Sequence, residues 1–126
     1  MIKTTASMFL FLITTFLILS PILSHAAEAP SQFQKDAALF QAKCAKCHTV
    51  GRGDRVGPDL KGVSERREKS WLIGFITDTQ RYLDNDPEAK KLLEKFSGVR
   101  METTNMNAAQ AEGLLSYINA ASKGPV

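Results

Sequence analysis

The five residues Cys44-Ala45-Lys46-Cys47-His48 constrain this chain more than any other stretch. They hold both cysteines of the 126-residue sequence and one of its two histidines. Two thiols three positions apart have three common uses: a redox disulfide, half of a zinc site, or a covalent attachment point for haem. Each use demands a different fold around it, so the choice among them sets the architecture as well as the chemistry.

The compartment narrows that choice. Lys3 supplies a short positive region, and an apolar run from Met8 to Leu23 follows, broken only by Thr14, Thr15, Ser20 and Pro21. Ser24-His25-Ala26 then fits a small-residue cleavage site, with Ala27-Glu28-Ala29 a second choice. Residues 1–26 therefore read as a cleaved secretory signal peptide. The alternative is an uncleaved membrane anchor, but a spanning helix takes about 20 apolar residues, and this run is shorter and carries a late proline. Export to the periplasm is the expectation, with residues 27–126 as one domain. Those residues carry 15 Lys and Arg against 13 Asp and Glu, a net charge of +2. Such balance argues against a nucleic-acid partner. The apolar content and the two cysteines exclude a disordered chain and a disulfide-rich scaffold.

Within an exported chain the three uses of the motif separate. A structural zinc site takes four ligands, and the mature residues offer two cysteines and one histidine. A thioredoxin-type pair sits in a βαβ setting, and no Val/Ile-rich strand precedes Cys44. Haem asks for what is present: two thiols to add to its two vinyl groups, and a histidine directly after them whose side chain is aimed at the iron. Haem is the reading adopted.

Further residues extend the pattern. Phe40, preceded by Leu39, stands four residues before Cys44, and Cys47-His48-Thr49-Val50 leads to Gly57-Pro58-Asp59-Leu60. From about Phe33 to Ala121 the sequence resembles the class I c-type cytochromes, small soluble single-haem proteins. The resemblance implies an all-α fold of about four helices wrapped around one covalent haem c, attached through Cys44 and Cys47. It implies His48 as proximal ligand, with the Pro58 carbonyl accepting a hydrogen bond from its ring and raising its basicity. It also implies that Leu60 packs on the haem.

The sixth ligand follows from the same resemblance. His25 lies in the signal peptide, which leaves Met101 and Met106. The family carries its axial Met on a loop before the C-terminal helix. Asn107 and Gln110 read as a capping box for that helix, which continues through Ala111, Leu114, Leu115 and Ile118 at helical spacing. Met106 directly precedes the cap, where an apolar side chain staples onto the helix. Met101 lies on a polar loop, 16 residues before Tyr117, a spacing similar to that in the family. Met101 is therefore taken as the axial ligand, with Met106 the alternative. Glu102 stands where the family commonly has proline.

Elsewhere, Ser31 and Gln34 form a second capping box, opening a helix with Phe33, Ala37 and Phe40 on one buried face. The family usually has Gly four residues before that Phe, for close contact between the terminal helices. Here Asp36 occupies the position, so either Ala37 makes the contact against Tyr117 or the crossing differs. Arg66 stands where an Arg approaches a haem propionate in some relatives, with an ordinary solvated charge as the alternative. Ser70 reads as the cap of a helix carrying Trp71, Leu72, Phe75 and Ile76, in which Trp71 borders the haem or packs in the core. Asp86-Pro87-Glu88 opens another helix, with Leu92, Leu93 and Phe96 as its buried side. Filling both axial positions leaves no open iron site. The resemblance thus implies a monomeric single-electron carrier, not an enzyme, with no small-molecule substrate. Its transient partners would be a quinol-oxidising complex and a terminal oxidase or reductase, with Lys43, Lys46 and Arg52 as candidate steering charges. Two other classes are weighed against it: a haem enzyme or sensor with an open iron position, and a thiol-redox protein without haem.

Overall fold

The computed structural model describes residues 29–124, and every regular element among them is a helix. The expected signal peptide at 1–26 lies outside the described residues. Helix α1 (Gln32–Lys43) starts where the sequence calls for it, with Ser31 and Gln34 exchanging side-chain and backbone hydrogen bonds. The C-terminal helix of the described residues, α6 (Ala108–Ser122), starts the same way on Asn107 and Gln110. Each box satisfies two backbone N–H groups that the first turn would otherwise leave unpaired.

Four shorter helices lie between them: α2 (Val63–Arg66), α3 (Lys69–Thr77), α4 (Thr79–Asn85) and α5 (Pro87–Lys95). Helix α5 begins at Pro87, and the Asp86 carboxylate accepts from the N–H groups of Glu88 and Ala89. Helix α3 corrects the expected start. Its first residue is Lys69, its N-cap is Glu68 without a side-chain bond, and Ser70 is already inside. The single turn α2 and the helix α4 go beyond the four helices expected. Within α4 only Thr79 and Leu83 are buried, too few to print an apolar period on the sequence. In α5 the fully buried residue is Ala89, whereas Leu92, Leu93 and Phe96 are half-buried.

The core lies where α1 and α3 pack on α6. Phe40 and Cys44 from the first, Leu72 and Ile76 from the second, and Leu114, Leu115, Tyr117 and Ile118 from the third form one apolar cluster with Met106. Full burial of each such aliphatic side chain is worth about 1.5–3 kcal/mol. The Tyr117 ring lies 5.3 Å from Phe40 and 5.5 Å from Phe33. Phe33 is not fully buried as expected: it covers Tyr117 from the rim and is 42% exposed.

The crossing of the terminal helices resolves the question raised by Asp36. Asp36 is buried, and its carboxylate accepts from the Gln32 side chain at 2.8 Å. The small residue that admits it is Gly113 on α6, where any Cβ would overlap the Asp36 carboxylate. Close approach is kept, with the glycine on α6 and not at position 36 of α1.

Candidate haem site

The motif forms the turn that ends α1. Cys44 N–H donates to the Phe40 carbonyl at 2.8 Å, and the N–H groups of Cys47 and His48 both donate to the Cys44 carbonyl, at 3.0 and 2.9 Å. This folding carries both thiols and the imidazole on one tight turn. Neither cysteine is in a disulfide; Cys44 is buried and Cys47 half-buried. Burial, and secondarily the neighbouring Cys47, push the Cys44 thiol up to about 11. A redox-active pair depends on a thiol lowered toward neutrality, and burial moves Cys44 the other way. Among the described residues, no three His, Cys, Asp or Glu side chains converge as a zinc site requires.

His48 is held in one orientation. Its Nδ1 lies 2.9 Å from the Pro58 carbonyl oxygen. A carbonyl only accepts, so Nδ1 carries the proton and donates, and the Nε2 lone pair is left for a metal. Gly57 also lies against the ring: a Cβ there would lie 2.5 Å from His48 Cε1 and 3.0 Å from Nδ1. Sequence reasoning singled out Pro58 and missed Gly57, although the glycine directly before that proline was the available signal.

The segment between the motif and Leu60 is wired to it. Gly57 N–H donates to the Cys47 carbonyl at 2.9 Å and Leu60 N–H to the Thr49 carbonyl at 2.8 Å. The Arg55 guanidinium donates to the Ala45 carbonyl at 2.8 Å. At the centre stands Asp59, a residue to which the sequence assigned no part. Its carboxylate accepts from the N–H groups of Gly51 and Lys61 at 2.8 Å and of Gly53 at 2.5 Å. Burial pushes its carboxyl up, but these backbone donors outweigh burial and bring it down to about 2. Asp54 in turn accepts from Asp59 N–H at 2.8 Å and pairs with Lys95 of α5 at 3.2 Å.

The remaining expected residues are distributed around this frame. Leu60 packs half-buried against the core. Arg66 is exposed, and its guanidinium donates to the carbonyls of Lys61 and, at 3.2 Å, Asp59. Trp71 stacks on Phe75 at 5.1 Å, meets the edge of Tyr82 at 5.6 Å, and carries the Arg67 guanidinium 5.5 Å from its ring centre. The Trp71 Nε1 is buried without a hydrogen-bond partner. The Asp86 carboxyl, held low chiefly by the Ala89 N–H, also feels this indole N–H. The indole thus faces the start of α5 without hydrogen-bond alignment. Met101 is half-buried; its carbonyl accepts from the Gln80 side chain at 2.8 Å. Glu102 lies 4.0 Å from Lys46, the residue between the two cysteines. Met106 is buried in the core cluster.

The family model described as Cytochrome c matches residues 33–122. The chain belongs to the cytochrome c family. It is 33% identical over 66 residues to a cytochrome c-553-like protein of Synechocystis sp., covering 52% of this chain and 63% of that one. It is 44% identical over 50 residues to cytochrome c of Cochliobolus lunatus, covering 38% of this chain and 46% of that one. These matches span roughly half to two thirds of the relatives' length. The solved structure of cytochrome c from Rhodothermus marinus superposes with a TM-score of 0.67 at 23% identity, over 73% of this chain and 78% of that one, a likeness of fold. The residues present fit the group that the family name implies. Two unpaired thiols share one turn with an imidazole whose Nε2 is free and whose Nδ1 is anchored.

Proposed function

We propose that the chain is a periplasmic monohaem electron carrier, with haem c attached through Cys44 and Cys47 and ligated by His48 and Met101. The observation that carries this reading is the His48–Pro58 hydrogen bond of 2.9 Å, which fixes the free Nε2 beside two unpaired thiols. The haem supplies a one-electron ferric–ferrous couple, with a thioether ligand favouring a comparatively high potential. The protein's own work is to hold and to exclude. The Pro58 carbonyl fixes the imidazole tautomer and increases its basicity. Gly57 lets that ring sit against the backbone, while Leu60 contributes apolar surface that keeps water out. Arg66 braces the segment around Leu60 through the carbonyls of Asp59 and Lys61. Trp71 packs as a wall with Phe75 and Tyr82.

Support for Met101 over Met106 comes from two sides. The Lys46–Glu102 approach of 4.0 Å joins the motif to the residue that follows Met101. Met106, by contrast, is consumed by the core. Ligation by both His48 and Met101 would leave no place for a substrate at the iron. The carrier would act as a monomer and dock transiently on redox proteins, a quinol-oxidising complex on one side and a terminal oxidase or reductase on the other.

The test is expression with a complete maturation system, followed by mass spectrometry and absorption spectroscopy. The reading expects one covalent haem, no alkylatable thiol, a weak far-red band of iron–sulfur ligation in the ferric protein, and no carbon monoxide binding in the ferrous protein. A colourless product overturns haem attachment. Ready carbon monoxide binding overturns the six-coordinate carrier and points to an open iron site.

A further inference from the structure

Glu102 stands where the resemblance implies a proline, yet the loop carrying Met101 is tied down elsewhere. The Gln80 side chain on α4 donates from Nε2 to the Met101 carbonyl at 2.8 Å. Its other end is occupied: Gln80 Oε1 accepts from Arg100 Nε at 3.0 Å. The Arg100 guanidinium also pairs with Asp84, one turn further along α4, at 2.7 Å. Gln80, Asp84 and Arg100 thus form a closed brace between one helix and the two consecutive residues Arg100 and Met101. On the far side, the Thr104 hydroxyl donates to the Ile76 carbonyl at 2.7 Å, and Thr104 is buried. The backbone on both sides of Met101 and Glu102 is therefore fixed to the α3–α4 unit by side chains.

We infer that Gln80 is a positioning residue for the axial methionine, holding Met101 in place of the absent proline and setting how readily that ligand is displaced. The inference rests on Met101 being the ligand proposed above. The orientation of Gln80 is set by its partners. A carbonyl only accepts, so the amide nitrogen must face Met101. The amide oxygen is then left to the guanidinium, which only donates. Asp84 keeps the guanidinium on α4 and so keeps the amide from rotating. A side chain pinned at both ends loses little further freedom when it restrains a loop, which is why a single bond from Gln80 is effective where an isolated one would not be.

The experiment uses the full holoprotein. In ferric wild type, Gln80→Glu and Gln80→Leu, three readouts are compared: the far-red band, the rate at which added imidazole abolishes it, and the pH at which it disappears on alkaline titration. Gln80→Glu keeps the shape and the link to Arg100 but removes the donor to Met101; Gln80→Leu removes both. Both variants are expected to keep the band, to react with imidazole about three- to tenfold faster, the range supplied by one hydrogen bond, and to lose the band at lower pH. Arg100→Gln is expected to shift the rate the same way by less. Unchanged imidazole rates and alkaline transitions in both Gln80 variants overturn the inference while leaving Met101 as ligand. A band that survives in Met101→Ala overturns the ligand assignment itself and removes the basis for the brace, so the two failures are distinguishable.

Discussion

The Asp36 carboxylate occupies the space beside Gly113 that any side chain there would need, so the terminal helices meet here as an acid on one and a glycine on the other. Each residue is tolerable only because of its partner. A Cβ at 113 overlaps the carboxylate. Without the groove left by Gly113, a buried acid whose one side-chain partner is Gln32 at 2.8 Å would have no room.

Gly113→Ala is therefore expected to destabilise the protein by about 1–3 kcal/mol, the cost of overpacking a close contact. Combining it with Asp36→Gly should recover much of that loss. Chemical denaturation of the two single variants and the double variant measures the coupling. Additive effects would show that the two positions do not meet.

The segment from Gly51 to Lys61 is expected to be acid-sensitive through Asp59. Its pKa falls from 3.8 to about 2 on folding, so its contribution is fully present above pH 4 and is lost as pH falls through about 2. An amide-resolved titration from pH 5 to 1.5 should show Gly51 and Gly53 losing their environment in that window. Asp59→Asn should flatten the pH dependence there and weaken the loop at neutral pH. An Asn variant with the wild-type acid profile would assign the transition to other groups.

The two methionines should separate cleanly. Met106→Ala opens a cavity in the core and should lower stability by about 2–5 kcal/mol while keeping the far-red band. Met101→Ala should abolish the band. Reversal of the two spectra would transfer the ligand to Met106.

Gly57→Ala forces a methyl group into the His48 ring, and the Nδ1–Pro58 bond is expected to lengthen or break. An imidazole deprived of that acceptor is a weaker donor to the metal, so the midpoint potential should rise, together with a stability loss of about 1–3 kcal/mol. Voltammetry and denaturation read the two effects separately. A variant with unaltered potential would mean that the ring keeps its hydrogen bond.

What the sequence made legible was local. The capping boxes at Ser31 and Asn107, the Asp86-Pro87 start and the Cys-x-x-Cys-His turn are each written in a few adjacent residues whose groups bond to one another. The bond from His48 to Pro58 could be anticipated from a resemblance across ten positions. What stayed hidden depends on the tertiary arrangement. Asp59 was only the variable position of a Gly-Pro-x-Leu pattern, and nothing in the chain marks it as the acceptor for three N–H groups. Gln80 looks like any polar helix residue until the chain returns at Met101. The resemblance implies a small residue on α1 at the helix crossing, whereas the glycine there is Gly113 on α6, and the sequence alone does not say which of two touching helices must lack a side chain. Ser70 misled because a serine before an apolar stripe is a common cap, but here the helix already includes Lys69.

The unequal burial of the two thiols also imposes an order of events. Cys44 is 5% exposed and belongs to the same cluster as Phe40 and Ile118, whereas Cys47 keeps part of its surface in solvent. In the folded chain, reagents reach Cys47 directly but reach Cys44 only when the packing of α1 on α6 opens, so its reaction rate is scaled by the population of that opening. Any covalent step requiring both sulfurs is accordingly fastest on a chain whose terminal helices have not yet met.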